Sequence, residues 1–201
     1  MIATEAEVEG FLHMLSEREG RSTPAVTWVD GGGSQVRPGR RNHLELDRRI
    51  LSDRADARFT VAHEFGHIVL GHTSARRLAA LIALYVGTLV AVMVVATWLL
   101  YAPTGAFWLL PVGFVVGGVA WLPIQRQLSL RLKQPMEHAA DLFAARVGVP
   151  LTKDLVARYE AERTGTGRLL SYVFPLHPSW PERLAVTRSR LSSDSRSELE
   201  I

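Results

Sequence analysis

The chain has 201 residues, with 23 Lys and Arg against 20 Asp and Glu, a net charge of +3, and no cysteine. The positive excess is small and scattered, which argues against nucleic acid as a partner. The absence of cysteine excludes a disulfide scaffold, a thiolate-ligated zinc and a thiol nucleophile. Charged residues make up 21% of the sequence, yet none of them, and no histidine, falls within the 48 residues 78–125. A chain of this length cannot wrap so long an uncharged block in a soluble core. It reads as a modest soluble domain with an apolar insertion.

In chain order, Thr4 and Glu7 form a capping-box pattern ahead of a helix whose apolar face is Val8, Phe11, Leu12 and Leu15, ending near Gly20. Residues 25–29 read as a strand and the Asp-Gly-Gly-Gly-Ser run at 30–34 as a flexible loop. Residues 42–47 alternate as a second strand. An exposed edge at 42–47 can receive an extended substrate by strand addition. Ser52 or Asp53 caps a helix over about residues 55–71.

The apolar block divides into 78–101 and 106–125, about 36 and 30 Å long as helices, against a hydrocarbon core of about 30 Å. Ala102-Pro103-Thr104-Gly105 supplies the turn. Trp98, Tyr101, Phe107, Trp108 and Trp121 lie near the ends, as an interfacial belt requires. Arg76 and Arg77 precede the block, Arg126, Arg131 and Lys133 follow it, and the turn is neutral. Positive charge therefore predicts both termini and the soluble part in the cytoplasm, and the polar, acidic first 20 residues do not read as a signal peptide. Small residues at spacing four (Ala79, Ala83, Gly87 and Ala91, then Gly113 and Gly117) suit close helix packing.

Beyond the block, Pro135 opens a helix over 136–147, stopped by Gly148 and Pro150. Another follows Thr152 to about residue 163. Ser179 and Glu182 form a second capping box, with Pro181 in the first turn of a helix to about Leu191. The Ser-rich tail 192–201 reads as disordered.

His63-Glu64-Phe65-Gly66-His67 is an H-E-x-x-H pattern on the 55–71 helix. Residues i and i+4 share a face, so both imidazoles can aim at one zinc ion. Glu64 lies about 100° around the helix, where it can act as general base without ligating. Such a site takes a third protein ligand and leaves one position for water. Glu137 and Asp141 stand four apart on the 136–147 helix, and Glu137 is the candidate because Glu reaches further. Asp141 then orients a ligand imidazole through its other ring nitrogen. His138 is rotated away by about 100°. Removing the insertion brings Glu137 to a separation from His67 that is ordinary between the ligand helices of a Glu-type zincin. His72, just past Gly71, reads as a cation at a helix C-terminus rather than a ligand.

These motifs, with Glu137-His-Ala-Ala-Asp141-Leu-Phe-Ala144 and His177-Pro-Ser-Trp-Pro-Glu-Arg183-Leu184, resemble the HtpX-like membrane zinc metallopeptidases, which belong with the CAAX prenyl endopeptidases. The resemblance implies zinc held by His63, His67 and Glu137, with Glu64 catalytic. His177 can then donate to the developing oxyanion, or serve only the entry of its helix. Arg183 can pair with Asp141 or Glu137. Residues 58–67 and 139–146 also resemble the ImmA/IrrE metallopeptidases, which act on transcriptional repressors. A non-catalytic zinc-dependent membrane sensor is a third alternative.

The fold expected is α+β and mainly helical. It is a gluzincin-type metallopeptidase domain with a small β-sheet and an inserted two-helix transmembrane hairpin. Residues 1–77 and 126–191 make the zincin domain, 78–125 the hairpin and 192–201 the tail. The function expected is zinc-dependent endoproteolysis at the membrane, with one zinc per chain. Polypeptides, membrane proteins above all, and the lipid bilayer are the expected partners.

Overall fold

The computed structural model describes residues 2–31, 33–36, 42–162 and 178–197. Helix α1 spans Glu5–Arg18, and its capping box is made as expected. The Thr4 hydroxyl accepts from the Glu7 N–H at 3.2 Å, and the Glu7 carboxylate accepts from the Thr4 N–H at 3.0 Å. Val8, Phe11, Leu12 and Leu15 are its buried face. Strands β1 (Ala25–Val29), β2 (Gln35–Val36) and β3 (His43–Asp47) form one sheet in the order β1-β3-β2. The β1–β3 pair is parallel and the β2–β3 pair antiparallel, with Val36 opposite Leu44.

This order corrects one expectation. Residues 42–47 are not an exposed docking edge, because β3 lies between the other two strands. The five-residue strand β1 and the two-residue strand β2 take the two edges. Leu44 and Leu46 of β3 are fully buried, as a central strand should be.

A 3₁₀ turn, Arg48–Ser52, leads to α2 (Arg54–Val69). Asp53 caps α2, accepting from the Ala55 and Asp56 N–H groups at 2.7 and 3.2 Å. Such a cap contributes about 1 kcal/mol. Helices α5 (Gln134–Arg146), α6 (Lys153–Glu162) and α7 (Trp180–Ser197) complete this part. The core gathers Leu12, Leu15, Leu44, Leu46, Phe59, Val61, Phe65 and Leu155, all nearly inaccessible.

Helix α7 continues through Ser197, so residues 192–197 of the tail expected to be disordered are helical, and 198–201 lie outside the described residues. Extending an existing helix avoids the cost of nucleation. Ser192 and Ser193 donate their hydroxyls to the carbonyls of Ser189 and Arg190, each at 2.8 Å, and so add no unmet polar group.

The described residues fall into two compact units, one of 2–75, 135–162 and 178–197, the other of 76–134. The second is a hairpin of α3 (Ala75–Tyr101) and α4 (Leu109–Leu132), 27 and 24 residues long, with Pro123 inside α4. At 1.5 Å per residue they reach about 40 and 36 Å, enough to cross a bilayer. Val94, Trp98, Phe107, Val115 and Val119 are all more than half exposed, which reverses the pattern of the other unit. An apolar surface of this extent fits a membrane rather than water.

Within the hairpin, Gly113 and Gly117 let the helices touch. A Cβ on either would stand 2.5–2.6 Å from the Cα of Thr97 or Met93. The expected partner stripe in α3 plays no part there: Ala79, Ala83, Gly87 and Ala91 are exposed. Tyr85 and Ser129 join the helices by a hydroxyl pair at 2.9 Å, and the Trp121 indole N–H reaches the Thr88 hydroxyl at 3.4 Å.

Candidate metal centre

Helix α2 carries His63 and His67 one turn apart, and α5 carries Glu137 opposite them. The His63 and His67 Nε2 atoms are 3.2 Å apart. Each lies 3.5 Å from a Glu137 carboxylate oxygen. Four donors at 2.0–2.2 Å from a tetrahedral zinc stand about 3.3–3.6 Å from one another. The two 3.5 Å distances run to different Glu137 oxygens, Oε2 from His63 and Oε1 from His67, so the carboxylate faces both imidazoles at donor-to-donor spacing, and two imidazoles with one carboxylate are a donor set zinc accepts. They form the one cluster of this kind among the described residues.

Asp141, fully buried one turn beyond Glu137, accepts from His63 Nδ1 at 2.9 Å. A proton on Nδ1 leaves the His63 Nε2 lone pair facing the other donors. Arg183, 4% exposed, comes from α7 and donates its Nε–H to Asp141 Oδ2 at 2.8 Å. Its guanidinium also reaches Glu137 at 3.8 Å. Of the two pairings open to Arg183, Asp141 is thus the close one. The Arg183 guanidinium lies 4.1 Å from the Trp180 ring centre, and Trp180 stacks on Tyr159 with ring centres 4.2 Å apart. Tyr159 in turn donates to Asp56 near the start of α2. This chain of contacts binds α2, α5, α6 and α7 around the site.

The charges are uneven. Burial alone would push His63 down, but hydrogen bonds to Asp141 and Glu137 outweigh it and raise the ring to about 9. Burial and the neighbouring His63 charge push His67 down to about 3. Burial pushes Glu64 up to about 7, against the attraction of His63 and a backbone hydrogen bond from Val36. Glu64 is not among the three converging donors and is partly exposed.

His63 raised above its ordinary 6.5 carries a proton at pH 7 in the metal-free protein. Its ion pairing stabilises that state fully below about 6.5 and is lost as pH rises through about 9. A cation must displace this proton. Zinc loading at pH 7 is therefore expected to release about one proton from His63 and up to about half of one from Glu64. Titration calorimetry in buffers of different ionisation enthalpy measures it, and a release near zero contradicts the ion-paired ground state.

The structure brings together six residues that the sequence singles out, His63, Glu64, His67, Glu137, Asp141 and Arg183. His177 lies outside the described residues. The reading missed the Val36 backbone, Tyr159, Trp180 and His72, whose Nδ1 stands 2.9 Å from that of His67. Only His72 had a local signal, the glycine that ends α2 just before it. His138 is buried on α5, and it is not one of the converging donors.

Among sequence families, the one described as peptidase family M48 matches residues 46–191. A comparison with curated proteins returns no match. Among solved structures, the crystal structure of S. mikatae Ste24p matches with a TM-score of 0.59 at 15% identity, over 93% of this chain and 51% of that one. The chain thus spans about half the length of that structure, and at this identity the likeness concerns the fold.

Proposed function

The chain belongs to peptidase family M48, and from that premise we propose a zinc-dependent endopeptidase of membranes that cleaves cytoplasmic or juxtamembrane segments of proteins, membrane proteins in particular. The observation that carries this reading is the 3.2–3.5 Å spacing of the His63, His67 and Glu137 donors beside a non-ligating glutamate. His63, His67 and Glu137 hold the zinc, one per chain. Bound there, it supplies Lewis-acid polarisation of the scissile carbonyl and makes water a stronger acid. Glu64 takes the proton from the attacking water on its carboxylate and passes it to the leaving amine nitrogen. Asp141 fixes the His63 ring, and Arg183 keeps Asp141 charged. Family membership over 46–191 favours this reading over a repressor-directed enzyme.

The substrate edge is reassigned to β2. It ends the sheet, and its Val36 backbone hydrogen-bonds the Glu64 carboxylate, so an extended peptide added there runs beside the catalytic group. Residues 1–77 and 126–191 form the catalytic domain and 78–125 the membrane anchor. Short connections, between Val69 and Ala75 and between Leu132 and Gln134, tether the two parts. Tethering raises the effective concentration of any substrate held in the same bilayer. The test offers one unfolded cleavable segment, free or membrane-anchored, to the enzyme in liposomes. Faster cleavage of the anchored form is expected, and equal rates at matched total concentration contradict the reading.

Five flanking basic residues and a neutral turn support a topology with both termini and the site in the cytoplasm. Because the chain has no cysteine, Thr104→Cys creates a single thiol. An impermeant reagent should label it on intact cells. Labelling only after the membrane is opened reverses the orientation.

A further inference from the structure

The turn that ends α2 brings a third histidine to the metal centre. Leu70 closes the helix, and Gly71 follows at φ +67°, a left-handed conformation that favours glycine. The Gly71 N–H donates to the Ile68 carbonyl at 3.1 Å, and the His72 N–H to the His67 carbonyl at 3.0 Å. This two-bond closure sets the residue after glycine against the residue five positions earlier. Here both are histidines. Their ring centres are 5.1 Å apart at 61°, and their Nδ1 atoms 2.9 Å apart.

A hydrogen bond between two ring nitrogens holds one proton, so one ring donates and the other accepts. Which is which follows from the metal-centre reading, on which this inference rests. His67 turns Nε2 toward His63 and Glu137, at 3.2 and 3.5 Å. To bind zinc there, Nε2 must present its lone pair, and the neutral ring then carries its proton on Nδ1. His72 Nδ1 must therefore be the bare acceptor, with the His72 proton on Nε2.

We propose that His72 is a positioning residue of the metal centre: it accepts the His67 Nδ1–H and so fixes the tautomer and ring plane that aim His67 Nε2 at zinc. The two ligand rings are thus held by unlike acceptors. His63 has the Asp141 carboxylate beside Arg183, and His67 has a neutral imidazole. A carboxylate acceptor makes its ring the stronger electron donor, so His67 is the weaker ligand of the pair and the more dependent on its orienting partner. The His67 side chain is 12% exposed, so without His72 its N–H loses an acceptor in a largely buried place.

The experiment uses the full-length protein in detergent and reads zinc affinity by chelator competition in wild type, His72→Ala and His72→Asn. His72→Ala should bind zinc about 10- to 100-fold more weakly. His72→Asn should recover most of the loss, because its Oδ1 sits as many bonds from Cα as Nδ1 does and can accept the same proton. Long-range ¹H–¹⁵N correlation spectra of the zinc-loaded wild type should show His67 protonated at Nδ1 and His72 at Nε2. Wild-type affinity in His72→Ala, equal losses in both variants, or a proton on His72 Nδ1 overturns the proposal. A wild-type chain that binds no zinc overturns instead the metal-centre reading, and this proposal with it.

Discussion

Glu64→Gln is expected to keep about one zinc per chain and to lower hydrolysis by about 100- to 10,000-fold, the range for a lost general base. The carboxylate is absent from the converging donor set, so its charge is not needed to hold the ion. Burial raises it to about 7, near the pH at which one group can both take and return a proton. The amide keeps the size and loses the proton-accepting oxygen. Metal content by elemental analysis and cleavage of an unfolded reporter separate the two effects. Zinc lost together with activity would make Glu64 a ligand. The acid limb of the wild-type rate follows from the same shift, since the base form disappears as pH falls through about 7. A bound cation favours the carboxylate and moves that limb lower.

Arg183→Met should destabilise the catalytic unit by up to about 3–5 kcal/mol, the cost of removing one partner from a buried ion pair. Asp141 is fully buried, and Arg183 is one of two cationic neighbours, the other being His63 at 2.9 Å. Burial alone would push Asp141 up, but the bonds from Arg183 and His63 hold it below the ordinary carboxylate range. Its contribution is therefore present above about 3.9, and is lost as pH falls through the depressed native value. Removing Arg183 also removes the cation over Trp180, so the loss should extend to the stack on Tyr159. Hydrogen exchange at the α5 and α7 amides reports it locally. The double variant Asp141→Asn, Arg183→Met should regain part of the loss. Unchanged exchange in the single variant contradicts the role given to the pair.

The legible parts of this molecule are those written in local spacing. The i, i+4 histidines and the i, i+4 carboxylates each define a helical face, and 48 uncharged residues define the hairpin without any knowledge of tertiary contacts. The sheet order was not legible, because β2 is two residues long and too short to show an alternation. The alternation at 42–47 consequently suggests an edge where a central strand lies. Tyr159 and Trp180 come from separate helices, and nothing local to either announces their stack. His72 differs from these. The glycine before it was read as a helix stop, yet the same glycine implies that the next residue returns onto His67.

The order of the chain has a consequence for how the enzyme is made. His67 and Glu137 stand 70 positions apart, and both hydrophobic helices are translated between them. At a ribosomal rate of about 5–20 residues per second, Glu137 emerges roughly 4–14 s after His67. Arg183, which neutralises Asp141, emerges later still. During that interval the nascent chain holds the proposed ligands His63 and His67 without Glu137, the proposed third donor. On the proposed ligand set the site cannot close before both spans have left the ribosome, and newly made chains pass the synthesis of their own anchor without a working blade.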